Sequence, residues 1–254
     1  MMRKSRNDLL ISIILPYYKK LKFFKKTYKS ILNQTYKNFE LIIVYDDSDL
    51  VELKKIKEII KNNSKTKIIC NKKNLGAGPS RNKGIKLSKG NYLSFIDADD
   101  LWKKNKLQKQ LKFLKKNNYY FVCSNYRKEL KKGYLDVSSP KEITYKNLIK
   151  NCNIGLSTVI IKKNLVTNKM FPNLKTQEDF AAWLKVMRTC KLSCYSLNEP
   201  LVIWRRDNNS LSTDIVQKLK DSYKVFRKHE KFSLFKSIIS VLILSINSLK
   251  RKRW

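Results

Sequence analysis

Three carboxylates crowd into four positions of this chain, Asp97, Asp99 and Asp100, within Asn91–Trp102, NYLSFIDADDLW. Carboxylates this close repel one another unless a cation sits between them, and a hard divalent metal is the usual solution. A second acidic run, Asp46-Asp47-Ser48-Asp49, follows another apolar stretch, and a third pair, Glu178-Asp179, opens an amphipathic segment. Asn74-Leu75-Gly76-Ala77-Gly78-Pro79-Ser80-Arg81 is a Gly-rich turn into a helix, whose N–H groups and Arg81 could receive phosphate. It is not a Walker A loop, because no Gly-Lys-Ser/Thr follows. Plainer readings stand beside these: the turn is only a turn, and Glu178-Asp179 complements a helix dipole. Asp46–Asp49, taken alone, is better read as the cap of the helix after it.

The elements that must position these residues alternate through the first half. Continuous apolar runs at Ile11–Leu15, Leu41–Tyr45, Lys67–Cys70 and Tyr92–Ile96 read as strands buried on both faces. Helical spacing between them covers residues 22–34, Val51–Lys61 and Pro79–Leu87. This βαβαβαβ order implies a parallel sheet with right-handed crossovers, and its strand ends place the two acidic loops on one edge. Further on, Tyr119–Asn125, Ser157–Lys162 and Pro200–Arg205 read as strands and Gln177–Lys191 as an amphipathic helix. The chain divides into one α/β domain over 1–228 and a basic amphipathic helix over 229–254.

With 56 Lys and Arg against 20 Asp and Glu, the formal charge is +36. The apolar fraction of 42% excludes a disordered basic tail. Lysines are dispersed in short runs, which suits a solvated surface as well as it suits a patch for nucleic acid or membrane. Five cysteines and a single histidine, His229, offer no zinc ligand set and read as reduced thiols of a cytosolic protein. The apolar N-terminal stretch runs into Pro16 and two tyrosines rather than a cleavage site, so it reads as a buried first strand. At the other end Phe232–Leu249 is apolar at helical spacing and is followed by Lys250-Arg251-Lys252-Arg253-Trp254. It is too polar to span, and docking in the plane of an anionic membrane is favoured over packing on the domain.

The ordered series ISIILPYY, NFELIIVYDDSD, NLGAGPSRNKGI, YLSFIDADDLW and QEDFAAWLKV closely resembles family 2 glycosyltransferases. The resemblance implies an α/β GT-A fold, a central mostly parallel sheet flanked by helices, here extended by the C-terminal amphipathic helix. It implies inverting transfer of a hexosyl group from a nucleotide-sugar, usually UDP-linked, to a hydroxyl of a glycan or lipid-linked acceptor. Bacterial cell-surface polysaccharide or lipopolysaccharide synthesis, at the cytoplasmic face of the membrane, is the expected setting. Residue by residue, Pro16, Tyr18 and Asp47 match the nucleobase pocket and Arg81 the Arg near uracil and diphosphate. Asp97 and Asp99 match the Asp-x-Asp motif that holds Mn²⁺ or Mg²⁺, with Asp99 or Asp100 as direct ligand. Asp179 matches the catalytic base, with Glu178 beside it. Two departures stand out: Ser48 replaces a frequent Gly, and Asp207 stands where relatives carry a His. Arg205 and Arg206 are expected to supply positive charge to the diphosphate there.

Two other classes account for less of the sequence. A nucleic-acid-binding protein accounts for the charge but not for acidic loops at strand ends, so no specific nucleic acid is expected as partner. A nucleotidyltransferase of related build calls for a Gly- and Lys-rich phosphate loop near the N-terminus, which residues 15–25 lack.

Overall fold

The computed structural model describes residues 9–61, 63–205 and 214–251. The first half is the alternating unit that the apolar runs predict. It comprises β1 (Ile11–Tyr17), α1 (Leu21–Leu32), β2 (Phe39–Tyr45), α2 (Leu50–Ile60), β3 (Thr66–Cys70), α3 (Ala77–Leu87) and β4 (Tyr92–Phe95). Side chains alternate across the sheet as the strand period requires. Ile11, Ile13, Leu15 and Tyr17 enter the core under α1 and α2, whereas Ile14 enters the core on the opposite face, against Ile85 of α3. Gly84 of α3 lies so close that a Cβ there would come within 2.6 Å of Ile14 Cγ2.

The second half is more irregular. It holds β5 (Leu101–Trp102), α4 (Lys106–Lys116), β6 (Phe121–Glu129), β7 (Tyr134–Val137), β8 (Glu142–Ile143), α5 (Tyr145–Lys150), β9 (Ile160–Lys162), α6 (Glu178–Cys190) and β10 (Cys194–Trp204). Then come α7 (Ile215–Lys224), a π-helical turn over Val225–His229 and α8 (Leu234–Arg251). All strands join one sheet in the order β3-β2-β1-β4-β9-β6-β10-β5, with β7 on β6 and β8 on β10. The four strands of the first half are parallel, and β9 runs antiparallel to both β4 and β6. The sheet is therefore mixed and mostly parallel, as expected.

Register places the site. Tyr17 lies opposite Tyr45, Tyr45 opposite Cys70, and Ile14 opposite Phe95. The loops after these four strands therefore leave from one edge, and β1 is the strand about which the order reverses. That is where open α/β sheets form a ligand crevice. On the α6 side, Trp183 is fully buried among Phe95, Phe121 and Phe171, with ring centroids 5.3 to 5.9 Å away. Replacing it by Ala would cost about 3–5 kcal/mol, so the helix that opens with Glu178-Asp179 is firmly attached to β4. The five cysteines are free thiols; Cys123 and Cys194 are buried and Cys70 is exposed.

Candidate active site

The loop after β2 divides its acids among three tasks. Asp46 is buried; its Oδ1 accepts from Asn71 Nδ2 at 2.7 Å and Leu75 N–H at 2.8 Å, and its Oδ2 accepts from Gly76 N–H at 2.8 Å. It thereby clasps the Gly-rich turn, whose Gly76 has φ +91°. Asp49 caps α2, accepting from Val51 N–H at 2.9 Å and Glu52 N–H at 3.0 Å. Asp47 does neither: Oδ1 takes the neighbouring Ser48 N–H at 2.8 Å, and Oδ2 is buried with no partner among the described residues. A buried acceptor left unpaired costs free energy unless a ligand donor meets it. Pro16 and Tyr18 stand at the end of the adjacent β1; Tyr18 is 44% exposed, while Tyr17 turns inward to stack on Tyr45 at 5.4 Å.

The loop after β4 is pinned through its backbone. Thr27 Oγ1 donates to the Ala98 carbonyl at 2.9 Å, Arg205 Nε donates to the Asp99 carbonyl, and Asp97 N–H donates to Ser157 Oγ at 3.2 Å. Its carboxylates diverge. Asp99 faces Lys20 Nζ at 2.9 Å, and Asp97 Oδ1 meets Arg81 Nη2 at 2.7 Å. Asp100 turns under the loop, where its Oδ2 accepts from Ser157 Oγ at 2.5 Å and its Oδ1 has no partner among the described residues. Burial, together with Asp97 and Asp99, holds the Asp100 carboxyl well above the usual carboxylate range. Asp99 is raised by burial and by Asp97, against the opposing pull of Lys20.

No group of three or more metal-ligating side chains converges among the described residues. Of the expected trio of Asp97, Asp99 and Asp100, the last is a buried partner of Ser157. Asp97 and Asp99 remain fit for a hard divalent ion. Both side chains are partly exposed, and the repulsion between them is already relieved by side-chain cations, of which Lys20 is 21% exposed.

Arg81 connects this loop to the helix across the crevice. Its guanidinium is 3% exposed, donates to Asp97 and, from Nη1, to Glu178 Oε1 at 2.6 Å, and lies 5.4 Å from the Phe171 ring centroid. These two acids hold Arg81 above its ordinary range despite burial. α3 can bring Arg81 this close because Gly78 has no Cβ; one would stand 2.4 Å from the Pro172 carbonyl oxygen. Gln177, just before the acids, is in the left-handed region at φ 62°, a strained conformation for a side chain with a Cβ. Asp221 of α7 accepts from Thr176 N–H at 3.0 Å and Thr176 Oγ1 at 3.1 Å, which holds this strained turn.

Glu178 and Asp179 are adjacent but differ in partners. Glu178 is tied to Arg81, whereas Asp179 makes no ion pair with a described residue and accepts only from Phe180 N–H, at 2.8 Å. Burial and the neighbouring Glu178 charge push the Asp179 carboxyl up to about 7, although Arg81 pulls the other way.

Arg205 departs from expectation. Rather than reaching for a diphosphate, it is 7% exposed, donates from Nη2 to Thr27 Oγ1 at 2.8 Å, and lies 5.0 Å from the Phe23 ring centroid. It braces the acidic loop from beneath. Arg206 and Asp207 lie outside the described residues. Lys20, Ser157 and Asp221 were not anticipated. Only Lys20 carried a local signal, as a cation directly after β1; Ser157 and Asp221 reach their partners across 57 and 45 residues.

The chain resembles known proteins in sequence and in fold. The model of the family described as "Glycosyl transferase family 2" matches residues 12–171. The putative teichuronic acid biosynthesis glycosyltransferase TuaG of Bacillus subtilis is 30% identical, over 96% of this chain and 97% of its own. WfgD of Escherichia coli, a UDP-Glc:alpha-D-GlcNAc-diphosphoundecaprenol beta-1,3-glucosyltransferase, is 32% identical over 86% of each. Among solved structures, Staphylococcus aureus TarS 1-349 with UDP-GlcNAc superimposes with a TM-score of 0.71 at 22% identity, over 86% of this chain and 65% of that one. The Pyrobaculum calidifontis mannosyltransferase PcManGT, with GDP-Man and Mn²⁺, gives 0.68 at 13% identity, over 90% and 66%.

Proposed function

The chain belongs to glycosyl transferase family 2 and has its GT-A fold, and from that premise we propose how this crevice works. The donor is a UDP-linked hexose, its base received by Pro16, Tyr18 and the unpaired Oδ2 of Asp47. The acceptor hydroxyl belongs to a lipid-linked saccharide or a growing polysaccharide of the bacterial surface, as the substrate named for WfgD suggests. The acceptor oxygen attacks the anomeric carbon from the face opposite the diphosphate. A new glycosidic C–O bond forms, the bond to the nucleoside diphosphate breaks, the configuration inverts, and the acceptor proton passes to Asp179. Asp97 and Asp99 would hold Mn²⁺ or Mg²⁺, whose charge offsets the negative charge of the departing diphosphate. Arg81 fixes the distance between these acids and the base-bearing helix.

The observation that carries this reading is the split at the start of α6. The buried Arg81 engages Glu178 and leaves Asp179 with no ion-pair partner among the described residues and a pKa near neutrality. A base acts in its deprotonated form, so the transfer rate should rise with pH through about 7. Asp179→Asn should bind UDP-sugar as before and lose both transfer and this pH dependence. Retained transfer in Asp179→Asn would reject the assignment, and failure of every nucleotide-sugar to bind with Mn²⁺ present would reject the enzyme.

Localisation follows from the acceptor. A saccharide on a polyprenol diphosphate stays at the bilayer, and nucleotide-sugars are cytoplasmic, so the enzyme works peripherally on the inner face of the cell membrane. No described helix is long and apolar enough to cross a membrane.

A further inference from the structure

Helix α8 is inverted relative to a helix that packs on a domain in water. Its small polar side chains face inward: Ser237 is fully buried, Ser240 is 7% exposed, and Leu244 joins the core beside them. Asn247 Nδ2 donates to the Lys150 carbonyl of α5 at 3.0 Å. The large apolar side chains face outward, with Phe235 75%, Leu242 56% and Leu249 61% exposed, and Ile238, Ile239 and Ile246 between them. At 3.6 residues per turn, those six occupy one arc of about 100°, opposite the serines. A surface helix of a soluble domain shows the reverse pattern. So large a contiguous apolar patch marks an interaction surface.

Two features identify what covers it. No acidic residue occurs in Leu234–Arg251, and Lys236 and Lys250 are exposed near its two ends. A second copy of this chain would bring its own acid-free helix and its own +36 charge to the contact. An anionic bilayer supplies an apolar interior and the opposite charge together. Helix α7, which packs on α8, also exposes Ile215 and Val216, at 65% and 61%.

We propose that α8 is an interfacial helix, lying in the plane of an anionic bilayer with its Phe235–Leu249 stripe among the acyl chains and its lysines at the headgroups. This deepens the peripheral membrane location proposed above and rests on that reading. It gives α8 the role of docking element while its serine face keeps the helix attached to the domain. Asp221 then ties the adjacent α7 to Thr176, three residues before Asp179, so the docked element also supports the catalytic turn.

The test is co-sedimentation of the full chain with vesicles of phosphatidylcholine, with and without phosphatidylglycerol, beside UDP binding in Mn²⁺ and thermal melting. Wild-type protein should bind the anionic vesicles. Phe235→Glu/Leu242→Glu should bind about tenfold more weakly or worse, with unchanged melting and UDP affinity. Phe235→Lys/Leu242→Lys raises the positive charge, and it too should bind more weakly, because apolar insertion is lost. Equal binding of the Lys variant would mean that surface charge alone holds the protein, and would overturn the proposal. So would a wild-type protein that ignores vesicles but self-associates in solution and is made monomeric by the Glu variant. Failure to bind UDP would strike the transferase reading and leave the vesicle result standing.

Discussion

The two acidic loops differ in what neutralises them. After β2, Asp46 and Asp49 are met mainly by backbone N–H groups, of Leu75, Gly76, Val51 and Glu52. After β4, Asp97 and Asp99 are met by side-chain cations, Arg81 and Lys20. Backbone donors cannot withdraw without unfolding the turns they belong to, whereas a partly exposed ammonium can yield its place to another cation. The first loop is therefore scaffold, with one unpaired acceptor at Asp47. The second holds charge that an incoming ion and a diphosphate can rearrange.

That contrast predicts separable effects. Asp99→Asn should lower the metal-dependent transfer rate most, about 10³-fold or about 4 kcal/mol of transition-state stabilisation, with little change in melting. Initial rates across a Mn²⁺ titration measure it, and an unchanged rate would remove Asp99 from the site. Asp46→Ala should act on stability instead, by about 3 kcal/mol in chemical denaturation, because one buried and two part-buried donors lose their acceptor. Asp47→Ala should leave stability within about 1 kcal/mol and weaken UDP binding about 10- to 100-fold by calorimetry, the range for a lost hydrogen bond to a charged group. An unchanged UDP affinity would leave the unpaired Oδ2 without a role.

How much of this was legible in the sequence follows the range of the contacts. The strands β1 to β4 were readable because doubly buried parallel strands are continuous apolar runs, and the crossover rule then put both acidic loops on one edge. The insertion of β9 between β4 and β6 was not readable, since it pairs Leu93 with Ile161, residues with no local relation. Nor was α4 anticipated, although Leu107, Leu111 and Leu114 have helical spacing. Within the site, types and spacing identified the acids but could not assign their partners. Asp46 and Asp47 are chemically identical neighbours, and only the return of Asn71 and Leu75 makes one a clasp. Arg205 was assigned to the diphosphate because cations suit phosphate; its inward turn depends on Thr27 and Phe23, far away in the chain. The amphipathic pattern of α8 was visible, but which of its faces met the domain was not.

The smallest expected effect sharpens the contrast most. Asp49 is the residue for which simple capping suffices: it is extended at φ −71° and ψ 102°, and its carboxylate accepts the two N–H groups at the start of α2. Asp49→Ala should cost about 1 kcal/mol, the usual loss for a removed N-cap, and Asp49→Ser should restore most of it, because a hydroxyl serves those donors too. Neither variant should alter UDP affinity or transfer rate, since Asp49 acts through its Oδ1 as the cap of α2. Asp49 and Asp47 are two positions apart in one loop, so a substitution that merely disturbed the loop would affect both readouts together. If Asp49→Ala weakened UDP binding as much as Asp47→Ala, the division of this loop into scaffold and recognition would fail. If the two readouts separate, a two-residue spacing divides cap from base recognition.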